Sequence, residues 1–182
     1  MRITNSSTDE SALLALKASL NLKVDHVLSI NWSSSVSFCN WIGVTCGIHH
    51  RRVRVLNLSD MGFSGTIPPQ LGNLSFLVDL DLHNNGFHGQ LPWDLLRLHR
   101  FKRVNLSYNG LSGEIPNGIG RLSMLQHLSF RNNNFSVSIP PSISNLSVLQ
   151  TLDWNVNLIT RSIPPEIGDW STSPLEDFTY CI

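Results

Sequence analysis

The stretch LSFLVDLDLHNNGFHGQLPWDLLR, residues 74–97, has related copies on both sides of it in the chain. From residue 50 onward the sequence divides into 24-residue segments that begin at positions 50, 74, 98, 122 and 146 and share the pattern LxxLxxLxLxxNxLxGxIPxxLGx. The copies stay in phase without an insertion, so chance spacing of leucines in a globular domain is a poor explanation. A fixed period of this length is typical of solenoids. The sequence therefore predicts five stacked coils over residues 50–169.

Each position of the repeat has a physical role in such a stack. Leu80 and Leu82 alternate with polar residues, which is the two-residue period of a strand with one buried face. One such strand cannot bury its apolar side alone, whereas stacked copies pair their strands and share one core. An asparagine follows the strand and offers both a donor and an acceptor to the backbone of the turn. It recurs as Asn85, Asn109, Asn133 and Asn157.

The composition argues against several classes of partner. The 182-residue chain carries thirteen basic and thirteen acidic side chains, a balance that does not favour nucleic acid or an anionic membrane. No apolar run reaches the length that a membrane span needs. The opening MRITNSSTDE lacks the apolar core of a secretory signal. We therefore expect neither a membrane span nor a signal peptide within this sequence.

The repeat, above all its GxIP element at residues 65–68 and 113–116, resembles the plant-type leucine-rich repeat. Residues 8–46, which include TDESALLALKASL and CNWIGVTC, resemble the N-terminal cap of plant leucine-rich-repeat receptor-like kinases. Residues 53–82 are most similar to the subgroup that contains immune receptors. The resemblance implies a leucine-rich-repeat solenoid, a right-handed superhelix of the α/β type with a short parallel β-sheet on the concave face and a helical N-terminal cap.

The cap is expected to seal the open end of the first repeat. Thr8 is suited to begin a helix that carries acidic residues in its first turn. Leu13, Leu16 and Leu20 fall on one helical face, which should cover the first repeat. The chain then divides into a disordered N-terminus (1–7), the cap (8–49), the repeats (50–169) and an off-pattern tail (170–182).

Two cysteines lie seven positions apart in the cap, on either side of Trp41. A disulfide between Cys39 and Cys46 would close a small loop, stabilise the fold by about 2.5 kcal/mol and indicate an oxidising compartment. Two reduced cysteines or half of a metal site are the alternative, but no further residues have the spacing of zinc ligands. Cys181 in the tail is expected to be a free thiol.

Side chains that leave the strands away from the core are expected on the concave face, where they form a mixed polar surface. Five strands about 4.8 Å apart cover roughly 24 Å, the length of about seven extended peptide residues. Our ligand-face candidates are Asp79, Asp81, His83, Arg103, Tyr108, His127, Arg131 and Asp153. The alternative is that this face is a solvated spacer, because the receptors that it resembles are longer and usually bind ligand further along.

Seven Asn-x-Ser/Thr sequons are candidates for N-glycosylation: Asn5, Asn31, Asn57, Asn73, Asn105, Asn134 and Asn145. Many sequons are typical of a wall-facing glycoprotein, although the repeat pattern itself generates the string NLS. Glycans on Asn57 and Asn105 would obstruct the concave face. We therefore expect that repeats 1–3 do not hold the main ligand if both are modified.

Two basic clusters stand out: HHRR at residues 49–52, and a group at the start of repeat 3 formed by Arg97, His99, Arg100, Lys102 and Arg103. Solvated surface is the interpretation that we favour for both, and an acidic partner or wall pectin is the alternative. The sequence contains no phosphate loop, no kinase residue set and no Ser-His-Asp arrangement. We expect no enzymatic activity, cofactor or metal.

The resemblance implies a non-enzymatic recognition module, the N-terminal ectodomain part of a plant receptor-like serine/threonine kinase that senses a peptide or microbial ligand in defence or development. Its expected partners are a peptide or protein ligand and another receptor kinase of the family, on the extracellular side of the plasma membrane or in the cell wall. Three alternatives stay open at this point: a wall protein that inhibits a microbial pectin-degrading enzyme, a short co-receptor, and a non-functional truncated gene product.

Overall fold

The computed structural model describes residues 6–22, 27–136 and 139–158, and through most of this range the chain coils in steps of 24 residues. Two helices open it, α1 (Ser6–Ser19) and α2 (Val27–Asn31). The strands are β1 (Val44–Cys46), β2 (Val53–Asn57), β3 (Ser64–Gly65), β4 (Asp79–Asp81), β5 (Gly86–Gln90), β6 (Arg103–Asn105), β7 (Gly110–Gly113), β8 (His127–Ser129), β9 (Asn134–Phe135) and β10 (Thr151–Asp153). Short 3-10 helices cover Phe38–Asn40, Pro69–Asn73, Trp93–Arg97, Ile119–Arg121 and Pro141–Asn145.

The repeat strands form the predicted parallel sheet. Its strand order is β1-β2-β4-β6-β8-β10, and each repeat strand pairs with the next at a register of 24 residues, as in Leu56 with Leu80. A second sheet, β3-β5-β7-β9, runs along another side of the coil. The cap adds a feature that the sequence did not reveal, because β1 pairs with β2 in the antiparallel direction and covers the first edge of the main sheet.

The core is the column of residues that the repeat predicts. Leu80, Leu82 and Leu106 are fully buried, and the second apolar column is buried with them: Phe63, Phe87, Leu111 and Phe135. Ile159, the fifth member of that column, lies outside the described residues. Each coil therefore buries the leucines of its neighbours, as a solenoid requires.

The conserved spacing of the template asparagines produces a hydrogen-bonded ladder. The side-chain oxygen of Asn85 accepts a bond from the Phe63 amide at 2.9 Å, and its nitrogen donates to the Leu58 carbonyl at 2.8 Å. Asn109, Asn133 and Asn157 repeat both contacts one coil further on each time. The ladder satisfies backbone groups that leave the strand, as the sequence predicts.

The cap helix packs on the first repeat through the predicted face, since Leu13 and Leu16 are fully buried. The end of α1 lies against Gly65, whose φ is +149° and where an added Cβ would sit 2.2 Å from the Ser19 carbonyl oxygen. Only glycine suits this contact. The predicted role of Thr8 was wrong, because the helix already includes Ser6 and Thr8 lies inside it.

A disulfide joins Cys39 to Cys46, with a Cα–Cα distance of 5.4 Å. Trp32 and Trp41 stack beside it with ring centroids 5.3 Å apart, and both indoles are buried. Each indole nitrogen donates to a backbone carbonyl, Trp32 to Ile42 and Trp41 to Val36. The segment between helix and sheet thus has a small aromatic core in addition to its crosslink. Cys181 lies outside the described residues.

Candidate ligand-binding face

The parallel register aligns the ligand-face candidates in columns across the main sheet. One column contains Asp79, Arg103, His127 and Thr151, and the next contains Asp81, Asn105, Ser129 and Asp153. Neighbouring strands are about 4.8 Å apart, so acidic and basic side chains alternate at contact distance. The structure therefore places the predicted residues on one continuous surface, which we call the concave face.

The acidic part of the concave face lies over repeats 1 and 2. His83 Nδ1 is 2.9 Å from Asp81 Oδ1, and His83 Nε2 is 3.1 Å from Asp60 Oδ2. Burial raises the pKa of the Asp79 carboxyl above its ordinary value, while the nearby Arg103 guanidinium opposes that rise. Arg103 reaches Asp79 at 3.5 Å. These groups are satisfied mainly by one another.

A second group of candidates is linked across repeats 3, 4 and 5. Arg131 Nε donates to the Tyr108 hydroxyl at 3.1 Å, and Arg131 Nη1 lies 3.7 Å from Asp153 Oδ2. The hydrogen bond to Tyr108 raises the pKa of the Arg131 guanidinium, so the group stays charged. Tyr108 remains 45% exposed. It offers an aromatic surface with a fixed cation beside it.

The backbone at Tyr108 is strained. Tyr108 has a φ of +54°, and the equivalent positions in the other repeats are also left-handed: Asp60, Asn84, Asn132 and Val156. Asp and Asn tolerate this conformation far better than tyrosine or valine do. Strained non-glycine residues cluster at functional sites. Tyr108 is thus a residue that the local backbone does not favour.

A shallow depression of about 540 Å³ lies beside this group, lined by residues of β6, β8 and β10. His127 is held on its floor through Nδ1, which lies 2.9 Å from the Thr151 hydroxyl. Arg103 and Asp153 line the same depression. The structure thus brings Tyr108, Arg131, Asp153, His127 and Arg103 together, whereas Asp81 and His83 belong to the acidic part.

Several sequons are used by the fold. Asn31 accepts a hydrogen bond from the Ile42 amide at 2.6 Å, and the side-chain oxygens of Asn57 and Asn105 accept bonds from Ser59 and Ser107. Asn57 is exposed on the concave face, whereas Asn105 is half-buried there. Asn134 and Asn145 are exposed and Asn73 is half-buried. Asn5 lies outside the described residues. Glycan occupancy of all seven stays a prediction.

The interpretation of HHRR as solvated surface was wrong for Arg52, which is 5% exposed and paired with Asp9. Reading the sequence by clusters also missed Arg54 and Phe76, which the structure places beside both basic clusters. The 24-residue period held the signal, because Arg52, Phe76 and Arg100 occupy equivalent positions of successive repeats, as do Arg54 and Lys102. Column alignment would have found them.

Neither a metal site nor a membrane helix appears in the part of the chain that the structure describes. No three His, Cys, Asp or Glu side chains there are grouped so that they could hold a metal ion. Among the same residues, no helix has the length and apolar character needed to cross a membrane.

Profiles of known families match the cap and the repeats separately. The leucine rich repeat N-terminal domain matches residues 6–47, and the Leucine Rich Repeat matches residues 52–74, 76–98, 100–122 and 124–146. The chain belongs to the leucine-rich repeat family. These leucine-rich repeats (LRRs) keep the 24-residue period over each match, in agreement with the strand register.

The similar curated proteins are plant LRR receptor-like kinases. The chain is 47% identical over 76 residues to an LRR receptor-like serine/threonine-protein kinase of Arabidopsis thaliana. It is 44% identical over 78 residues to the LRR receptor-like serine/threonine-protein kinase EFR of the same plant. The matches cover 42% and 43% of this chain but only 7% and 8% of those relatives.

Solved LRR structures match nearly the whole chain. The BIR2 ectodomain of Arabidopsis thaliana is 33% identical with a TM-score of 0.78, and the match covers 87% of this chain and 85% of that one. A plant ice-binding protein is 31% identical with a TM-score of 0.83, covering 94% and 55%. The Arabidopsis receptor kinase HAESA, solved with an IDA peptide hormone ligand, is 31% identical with a TM-score of 0.80, covering 93% and 28%.

Proposed function

We propose that this LRR chain is a non-enzymatic extracellular recognition module, the N-terminal ectodomain part of a plant LRR receptor-like serine/threonine kinase. In this role it binds an extended peptide and signals, within the intact protein, in defence or development. The similarity to plant receptor kinases and to a receptor solved with a peptide hormone supports this proposal. The disulfide in the cap supports an oxidising, extracellular location.

The peptide site that we propose lies over repeats 3, 4 and 5 of the concave face. The observation that carries it is the group formed by Tyr108, Arg131 and Asp153, in which a strained, exposed aromatic residue lies beside a fixed cation. Aromatic residues and arginines dominate the binding energy of many interfaces. The neighbouring depression gives space for a peptide side chain.

A defined probe tests this site. The secreted chain is used to select from a displayed library of random twelve-residue peptides, and the selected peptides are measured against Tyr108→Ala/Arg131→Ala. We expect at least about a tenfold loss of affinity, because two central contacts are removed. A matched control, His88→Ala/Glu114→Ala, changes two exposed residues away from the concave face and should bind normally.

Two results would contradict the proposal. The first is a set of selected peptides that bind the wild type and the Tyr108→Ala/Arg131→Ala variant equally. The second is a glycan on Asn105, found by glycopeptide mass spectrometry, since Asn105 lines the depression at which the peptide should lie. Glycosylation of Asn57 alone is compatible with the site, because Asn57 belongs to repeat 1.

A further inference from the structure

The two basic clusters of the sequence meet in one groove at the edge of the main sheet where the strands begin. The groove has a volume of about 920 Å³ and is separate from the depression on the concave face. Two rows of equivalent repeat positions contribute to it. One row is Arg52, Phe76 and Arg100, and the other is Arg54, Val78 and Lys102. We call it the basic groove.

The floor of the basic groove is preorganised. The guanidinium of Arg52 lies 4.9 Å from the centroid of the Phe76 ring, and that of Arg100 lies 4.6 Å from it. Because these residues come from repeats 1, 2 and 3 in order, the phenyl ring sits between two cations. The charge of Arg52 is compensated by Asp9, so Arg52 fixes the floor rather than attracting a ligand.

The remaining cations of the groove lack counter-charges. Its lining contains Arg54, Arg100 and Lys102 together with histidines, but among the described residues no Asp or Glu lines it. None of these three cations forms an ion pair within that part of the chain. The arginines of the concave face differ, since Arg103 and Arg131 each lie near an aspartate. The whole chain has no net charge, so this excess is local.

We propose that the basic groove binds an acidic peptide segment of a partner protein. Carboxylates of the segment bind Arg54, Arg100 and Lys102, and an apolar side chain packs on Phe76, Val78 and Met124. Charge complementarity of this kind speeds association and selects partners. The site lies apart from the proposed peptide site on the concave face, so the two proposals can fail independently.

The spacing of the cations favours a particular peptide geometry. Arg54 and Lys102 lie two repeats apart, which corresponds to about 9.6 Å between their strands. Residues i and i+3 of a polyproline II helix lie on one side, about 9.3 Å apart. An acidic residue at every third position therefore matches the two cations, and a second edge of the same helix can face the apolar floor.

A peptide fits the basic groove better than a carboxylated polysaccharide does. The apolar floor formed by Phe76, Val78 and Met124 gains free energy only when an apolar group covers it. The Phe76 ring is already engaged by two guanidinium groups and has no free face for a sugar ring. The test nevertheless includes a polyuronate, because its carboxylates share the same chemistry.

The test uses the fluorescein-labelled peptide EPLEPLEPL, in which glutamates and leucines occupy separate edges of a polyproline II helix. The controls are QPLQPLQPL and an oligogalacturonide with the same number of carboxylates. Binding to the secreted chain is measured by fluorescence anisotropy for the wild type and for Arg54→Gln/Lys102→Gln. The matched control is Arg97→Gln/Arg121→Gln, which removes the same charge outside the groove.

We expect saturable binding of the acidic peptide and much weaker binding of the glutamine peptide. The groove variant should lose about tenfold or more in affinity, because both substitutions remove charge-assisted hydrogen bonds, whereas the matched control should bind as the wild type does. Thermal unfolding at the wild-type temperature confirms that each variant is folded. Peptides selected on the concave face should bind the groove variant normally.

Three results would overturn the proposal. The wild type shows no saturable binding of the acidic peptide, both double variants lose affinity equally, or the oligogalacturonide binds more tightly than the peptide and depends on the same two residues. The second outcome would indicate attraction by overall charge alone, and the third would assign the groove to a polyuronate.

Discussion

The carboxylate of Asp9 and the guanidinium of Arg52 form a buried two-point ion pair between the cap helix and the first repeat. Arg52 Nε and Nη2 donate to the two carboxylate oxygens at 2.8 and 2.6 Å, and the Val53 amide adds a third bond at 2.9 Å. Asp9 is fully buried. The contact ties α1 to the first residue of β2 and so fixes the cap at the open end of the solenoid.

Replacing Asp9 by Ala should destabilise the fold strongly. The change leaves the buried Arg52 cation without its partner, and breaking a buried pair in this way typically costs about 3–5 kcal/mol. Urea unfolding followed by circular dichroism measures the loss. Glu10→Ala is the control, since Glu10 is only half-buried, and should change stability by about 0.5 kcal/mol or less. Equal effects of both substitutions would contradict this role for Asp9.

Sequence reasoning predicts the contacts that repeat and misses those that occur once. The positions of Leu80, Leu82 and Asn85 recur every 24 residues, so one physical explanation covers all copies, and the structure confirms it. The Asp9–Arg52 pair joins residues 43 positions apart and occurs once. In sequence, Asp9 has the appearance of an ordinary acid in a first helical turn. Only the packing of the cap on β2 selects its partner.

The candidate site shows the same division. The columns of the concave face follow from strand alternation and the repeat period, which is why Asp79, Arg103 and His127 could be named in advance. The link from Tyr108 to Arg131 depends on side-chain direction and on a left-handed backbone. Neither property is encoded by the period.

Asn133→Ala tests the asparagine ladder at its most buried described rung. The substitution leaves the Leu111 amide and the Leu106 carbonyl without a bond that the side chain now makes at 3.0 and 2.9 Å. We expect a loss of at least about 2 kcal/mol in the free energy of unfolding. The exposed neighbour Asn134 provides the control, and Asn134→Ala should cost less than about 0.5 kcal/mol. A neutral Asn133→Ala would show that the ladder does not stabilise the coil.

Tyr108→Asn should separate stability from recognition. Asparagine tolerates the left-handed backbone at this position, so we expect a gain of about 1 kcal/mol in stability together with weaker binding of the library peptides. Tyr108→Phe keeps the unfavourable backbone and the ring but removes the hydrogen bond from Arg131, and should show no gain in stability. Loss of stability in Tyr108→Asn would refute the assignment of strain.

The raised pKa of Asp79 predicts a defined pH dependence. Burial is the main cause of the rise, and Asp81 adds to it. The unfolded chain therefore releases this proton at a lower pH than the folded chain, so the contribution of Asp79 to stability falls as the pH rises through the folded pKa. At pH 7, Asp79→Asn should raise the thermal midpoint. The gain should disappear below the ordinary carboxyl value of 3.8; a gain that persists there would contradict the account.

Hydrogen exchange of the secreted chain, with and without a library-selected peptide, tests the proposed recognition site most directly. We predict slower amide exchange at β6, β8 and β10, together with Tyr108 and Arg131, and little change at β3, β5 and β7. Protection confined to β2 and β4, or protection at the second sheet without any on β6, β8 and β10, would contradict a peptide site on repeats 3 to 5.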